Sequence, residues 1–132
     1  MIFLRLISVV GAVISRDGKI LAAQRKEESS LGGFWEFPGG KIEANETPKE
    51  ALAREIKEEL EADIEIFEEI CTVDHEYDFG IVKLTTFRCT LLSDSISLHD
   101  HQDTRWLTLH ELRDVNWAPA DIPTIEILEE RK

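Results

Sequence analysis

The sequence predicts an α+β fold, an α/β/α sandwich in which a mixed β-sheet lies between a central helix and a C-terminal helix. Three observations predict it. Runs rich in Val, Ile and other β-formers occupy both halves of the chain. One strongly helical segment, residues 48–60, separates them. A second apolar-periodic segment, residues 122–131, closes the chain with Ile122, Ile125 and Leu128 three apart. At 132 residues the chain is long enough for a real core, so residues 1–132 read as a single domain.

The elements follow in order. Met1, Ile2, Phe3 and Leu4 are apolar, but Arg5 follows at once and alternation continues, so no secretory signal is read. Residues 6–15 read as a strand and 20–25 as its partner, joined by a hairpin turn centred on Asp17-Gly18. Residues 26–33 are polar and carry Gly and Ser, the composition of a mobile loop. Residues 34–37 form a short strand leading into Pro38 and a Gly39-Gly40 loop. The helix starts with Thr47 as N-cap, Pro48 at its first position and Glu50 closing a capping box. Leu52, Ala53, Ile56 and Leu60 form its core-facing stripe. Residues 64–76 and 80–92 read as neighbouring strands turning at Asp78-Phe79-Gly80. A short strand at 105–107 and a helical turn at 109–113 precede the last helix. No internal repeat, linker or low-complexity stretch is present.

Composition bounds the function. A net charge of −12 argues against a nucleic-acid polymer as partner, because phosphate backbones want basic surfaces. It leaves nucleotides open, since they arrive with metal ions that cancel charge on both sides. No stretch approaches the length of a membrane span. Cys71 and Cys89 lack metal-ligand spacing and read as buried, reduced thiols of a cytoplasmic protein.

The chemistry concentrates at the helix. Glu55, Glu58 and Glu59 sit at i, i+3 and i+4, so they share a helical face and repel one another. A hard divalent cation would offset that repulsion. A solvated acidic face is the usual meaning of a charge run taken by itself. Here the run does not stand alone. Gly40, Glu46, Arg54, Glu55, Glu58 and Glu59 follow G-x5-E-x7-R-E-U-x-E-E, where U is apolar and is Ile56.

That spacing resembles the Nudix box, the signature of the Nudix hydrolases. The family pattern continues x-G-U, read here as Leu60, Glu61 and Ala62, so the glycine that ends the family's helix is a glutamate. Either Glu61 takes a strained conformation or the helix runs on. The resemblance covers nearly the whole chain. It includes the Trp-Glu-Phe-Pro-Gly-Gly run (35–40) and the Ala-Pro-Ala-Asp-Ile-Pro run (118–123) of the MutT-like branch. The pattern is nearest to that branch's bacterial CTP pyrophosphohydrolases and 8-oxo-dGTP diphosphatases.

The resemblance implies a nucleoside triphosphate pyrophosphohydrolase that releases a monophosphate and pyrophosphate in nucleotide-pool sanitation. It implies Mg²⁺, with Mn²⁺ able to substitute, held by Glu55, Glu58, Glu59 and the Gly40 carbonyl. Glu46 and Arg54 would brace these ligands, and Gly39 would help to bring backbone near phosphate or metal. Asp100, between His99 and His101, would orient water or add a ligand, or it simply makes a turn. The two histidines, without a third ligand, do not make a zinc site; they read as solvated loop residues or a phosphate contact. Arg25 would contact phosphate or form a surface ion pair. Phe37 would stack on the base or belong to the core. Asp121 would read the base, caps the last helix, or does both. The expected partner is a small nucleotide, with cytosine deoxynucleotides and oxidised dGTP as competing substrates, and the expected assembly a monomer or homodimer. The alternatives are a Nudix enzyme for another nucleoside diphosphate derivative such as ADP-ribose, or a non-catalytic nucleotide-sensing module.

Overall fold

The computed structural model describes residues 5–131; the apolar Met1 to Leu4 run lies outside them. A seven-stranded mixed sheet carries the fold. Its strands are β1 (Leu6–Arg16), β2 (Lys19–Arg25), β3 (Trp35–Glu36), β4 (Gly39–Lys41), β5 (Ile64–Tyr77), β6 (Gly80–Leu91) and β7 (His101–Leu107). The main path runs β3-β2-β1-β6-β5, with β4 added to β1 and β7 to β2. β1 and β6 run parallel from Leu6↔Ile81 to Ser15↔Thr90, and the other pairings are antiparallel.

The Asp17-Gly18 turn forms as the dipeptide requires, with φ of 53° and 76° at its two residues. β1 and β2 then separate. They pair only at Ser15↔Ile20 and Arg16↔Lys19, and further along β1 it is β4 that pairs with Val9, Val10 and Gly11. The expected Gly39-Gly40 loop is therefore a short strand. Side-chain-free backbone is what lets it fit, because a Cβ on Gly39 would run into the Val10 carbonyl.

Each face of the sheet has its own core. On one, α1 (Pro48–Leu60) packs Ala51, Leu52, Ile56 and Leu60 against Val10, Ile14 and Phe87. On the other, Ile125 and Leu128 of α2 (Ile122–Glu129) pack with Leu112, Trp117, Trp35 and Leu107. The sandwich predicted from sequence is thus the one observed. Ala53 is a correction: it is exposed and Ala51 is buried, because the buried arc around Leu52, Ile56 and Leu60 extends toward the Ala51 and Glu59 side of the helix. Residues 26–33 also differ from a loose loop. Gly33 N donates to Arg25 O (3.0 Å), Arg25 Nε to Ser30 O (2.7 Å) and Gln24 Nε2 to Gly33 O (3.0 Å), so the segment is tied to β2. The last helix ends at Glu129, two residues short of the predicted segment 122–131; a short turn at Pro119–Asp121 leads into it, and the earlier helical turn runs Leu109–Asp114. β7 begins at His101 rather than at 105, because pairing to β2 extends past the apolar residues. Both cysteines are free, Cys89 buried and Cys71 half-buried. Among the described residues no helix is long and apolar enough to cross a membrane.

Candidate active site

α1 is placed by its ends. Thr47 Oγ1 accepts from Glu50 N (3.1 Å) and Glu50 Oε1 accepts from Thr47 N (2.8 Å), a complete capping box. At the other end Glu61 adopts the left-handed conformation (φ 51°, ψ 41°), so the helix stops at Leu60. Glu61 thus takes the conformation that glycine adopts at helix ends without strain.

Arg54 is the hub of the acidic cluster. Its Nε and Nη2 donate to the two Glu46 carboxylate oxygens (2.6 and 2.9 Å). Nη1 donates to Glu55 (2.9 Å) and Glu58 (3.3 Å), and Nη2 also reaches the Lys41 carbonyl on β4 (3.1 Å). Helix and β4 are therefore tied through one guanidinium. The bidentate bond from Arg54, with the Glu43 N–H adding to it, holds the Glu46 carboxyl down at about 2. Gly40 faces Glu55 so closely that a Cβ there would fall on the Glu55 carboxyl group.

The three helix carboxylates are not equivalent, which corrects the single acidic face predicted from their spacing. Glu58 is 60% exposed and turned toward Arg54. Glu55 is half-buried against Gly40. Glu59 is only 8% exposed, and its Oε2 is buried without a hydrogen-bond partner. Burial, with the charges of Glu55, Glu36 and Asp100, pushes the Glu59 carboxyl up to about 9. Helical period sets the direction a side chain leaves the axis; the distance to the sheet sets its burial. Among the described residues no group of three or more His, Cys, Asp or Glu side chains is arranged to hold a metal as it stands. Arg54 instead engages Glu55 and Glu58.

A cleft of about 730 Å³ opens where β1 and β2 part. That is a typical volume for a small-molecule site. One group of lining residues, Gly39, Gly40, Glu59 and Asp100, is polar and acidic; another, Phe37, Tyr77, Phe79, Ala120 and Asp121, is mostly apolar. Arg25, Glu36 and His101 also line the cleft. Glu55 and Glu58 do not line it.

Two predicted residues have more than one role open to them. Phe37 is buried and packs on Trp117 (ring centroids 4.7 Å apart), so it is core that also reaches the cleft wall. Asp121 precedes α2 but makes no side-chain cap, which removes capping as its role. Its Oδ1 accepts from Phe37 N (3.3 Å), and burial, reinforced by the Glu36 charge, raises its pKa well above the usual carboxylate range. Its segment is brought there by Trp35, whose N–H donates to Asn116 O (2.9 Å) and whose carbonyl accepts from Ala118 N (2.8 Å).

Arg25 pairs with Glu36 (3.3 Å). His101 corrects the solvated-loop expectation: it is buried at the start of β7, with Nε2 2.8 Å from Glu36 Oε2 and Nδ1 unpartnered. Glu36 is the residue that sequence reasoning passed over. Its signal was a lone carboxylate in the otherwise apolar Phe34 to Phe37 run. His99 stays exposed, 2.6 Å from Glu61.

The fold sets an acidic helix beside a cleft of small-molecule size. The NUDIX domain family matches residues 9–126, and the chain belongs to the Nudix family of hydrolases. It is similar to a CTP pyrophosphohydrolase of Escherichia coli, at 38% identity over 93% of this chain and 91% of that protein. An 8-oxo-dGTP diphosphatase of Proteus vulgaris is 41% identical over 61% of this chain and 71% of its own length. Among solved structures, a MutT protein of the Nudix hydrolase family from methicillin-resistant Staphylococcus aureus superimposes with a TM-score of 0.79. It is 52% identical, with 97% of this chain and 99% of that one covered.

Proposed function

We propose that this protein is a Mg²⁺-dependent nucleoside triphosphate pyrophosphohydrolase that releases a nucleoside monophosphate and pyrophosphate from cytosine (deoxy)nucleotides or oxidised dGTP. The observation that carries the reading is the buried, unpartnered Glu59 oxygen beside Glu55, Glu36 and Asp100. A carboxyl group so placed is costly unless a proton or a cation neutralises it. The Gly40–Glu55 approach adds a backbone donor where a side chain would not fit. The set is all oxygen, which suits Mg²⁺, with Mn²⁺ as substitute.

Glu55, Glu58, Glu59 and the Gly40 carbonyl would hold the ion. Once bound, it would draw charge from the phosphate oxygens and lower the pKa of a coordinated water. The residues of the chain do the rest. Arg54 and Glu46 keep the helix carboxylates and β4 in register. Asp100 lines the cleft and accepts a hydrogen bond from the attacking water, orienting it. Arg25, partly neutralised by Glu36, offers its remaining donors to phosphate. Phe37 and Tyr77 form apolar wall for the base.

Asp121 would read the base. Its raised pKa favours the neutral acid, which offers one donor and one acceptor. That pair complements N3 and N4 of cytosine, and equally O6 and N1 of an oxidised guanine. The similarity to the CTP pyrophosphohydrolase of Escherichia coli and the 8-oxo-dGTP diphosphatase of Proteus vulgaris supports these two substrates. Two free thiols fit a cytoplasmic setting.

The test is turnover with Mg²⁺ over the common nucleoside triphosphates, 5-methyl-dCTP, 8-oxo-dGTP and ADP-ribose, with products separated chromatographically. Monophosphate plus pyrophosphate is expected, and Glu58→Gln is expected to abolish turnover while the protein stays folded. An unaffected rate in that variant would remove Glu58 from the ligand set. Orthophosphate release would overturn the reaction type, and cleavage of ADP-ribose alone would overturn the substrate class.

A further inference from the structure

We infer that Glu61 and His99 form a clasp that positions Asp100 against the buried Glu59 carboxyl. The inference deepens the pyrophosphohydrolase reading and rests on it.

The first observation is backbone strain. Glu61 holds φ 51° and ψ 41°, a conformation glycine adopts freely and a side chain does not. Ending the helix there needs the conformation but not the carboxylate. The second observation is what the carboxylate touches: Glu61 Oε2 lies 2.6 Å from His99 Nε2. Both side chains are more than half exposed, at 61% and 51%. Exposed pairs of this kind return little stability. A strained residue whose bond hardly stabilises the fold points to a positional role.

The third observation is the segment the bond restrains. Between β6 and β7 the chain has no regular hydrogen bonding from Leu92 to Asp100. Its first part is anchored: Leu92 N donates to Asp63 O (2.8 Å), Asp63 N to Ser93 Oγ (2.8 Å), and Arg16 donates to the Ser93 and Asp94 carbonyls. Nearer Asp100, Ser97 N donates to Leu60 O (2.9 Å), Lys26 Nζ donates to His99 O (3.0 Å) and Ile96 packs on the core. The Glu61 side chain is the point at which the end of α1 grips the residue next to Asp100. Asp100 in turn lines the cleft together with Glu59, two residues back along the chain from Glu61. The clasp thus sets the Asp100–Glu59 spacing from the same helix end that carries Glu59. Glu61 and His99 are positioning residues; neither lines the cleft.

Glu61→Gly and Glu61→Gln separate this role from a structural one. Glycine relaxes the backbone and removes the grip. Glutamine keeps an acceptor for His99. Three quantities are read: thermal midpoint, amide exchange at Ser97, and kcat and KM with Mg²⁺ on the best nucleotide of the panel. Glu61→Gly is expected to melt at or above the wild-type temperature. Its Ser97 amide is expected to exchange faster, and its kcat to fall roughly 10- to 100-fold with KM little changed, as for lost outer-shell support. Glu61→Gln is expected to restore most of the kcat. Wild-type kcat in Glu61→Gly overturns the inference, whatever the exchange result. A fall in kcat accompanied by a lower melting temperature and no rescue by glutamine also overturns it, as a stability effect. Should the wild type turn over no nucleotide, the pyrophosphohydrolase reading fails; the Ser97 exchange then still decides whether the clasp exists.

Discussion

Glu59 concentrates the tension of the site in one side chain. It is nearly buried, one oxygen is orphaned, and three other carboxylates act on it. Its raised pKa means the folded protein binds a proton there that the unfolded chain would release between pH 4.5 and about 9. Stability from this group therefore falls as pH rises through that window. Glu59→Gln is expected to stabilise the metal-free protein at pH 7 by an amount on the order of 2 kcal/mol, and to flatten the loss of stability toward alkaline pH. The same variant should lose turnover. Denaturant melts from pH 5 to 9, without metal, measure the first effect; a variant less stable than wild type at pH 7 would contradict it. Asp121 and His101 were ambiguous as letters for a related reason. A polar residue before a helix reads as a cap, and a His in a polar loop reads as solvated. Burial against Phe37 and Glu36, set by other segments, decided both.

At the scale of the element, α1 is the part most readable in advance. Its capping box, Pro48 and the buried Leu52, Ile56 and Leu60 are local properties and are present, while Ala53 gives way to Ala51 and the left-handed Glu61 decides the end at Leu60. The buried Leu52, Ile56 and Leu60 each contribute roughly 1.5–3 kcal/mol of apolar burial, so the helix forms despite its like charges. The electrostatic part is the Arg54–Glu46 bond. Glu46 has a folded pKa near 2 against 4.5 unperturbed, so the stabilisation is full above about pH 4.5 and disappears as pH falls toward 2. Glu46→Gln should lower the melting temperature at neutral pH, and the gap to wild type should close between pH 4.5 and 2. Melting curves across that range test this, and a gap that stays constant down to pH 2 would contradict it. β4 was not readable in the same way. Two glycines carry no strand propensity, and only the approach to β1 makes them a strand.

The whole molecule supplies what no element has alone. β1 pairs with β2 at one end and with β4 further along, and the opening between β2 and β4 becomes the cleft. Into it α1 delivers Glu59, the β6–β7 segment delivers Asp100, and Trp35 fastens the stretch that carries Asp121. Ligand binding there is expected to be linked to fold stability. Mg²⁺ with a non-hydrolysable triphosphate analogue at about 100 times Kd should stabilise the folded state by about 2.7 kcal/mol. Chelation with EDTA should reverse the metal-dependent part. Thermal melts measure both, and Glu59→Gln should lose the metal-dependent shift. A shift that is the same in wild type and variant would show that the ion binds elsewhere.

Family, sandwich and helix are legible in the residue order, because caps, period and motif spacing act over a few neighbouring residues. That order also named part of the cleft wall: Arg25, Phe37, Gly40, Glu59, Asp100 and Asp121 are candidates on spacing and resemblance, and all of them line it. Tertiary structure alone decided how those residues differ. It made Glu59 buried and Glu58 exposed on one helix, recruited Glu36 and His101, and gave Glu61 a partner 38 residues away. The reason is physical: burial and charge coupling depend on distances between segments, and those distances exist only once the sheet has brought the segments together.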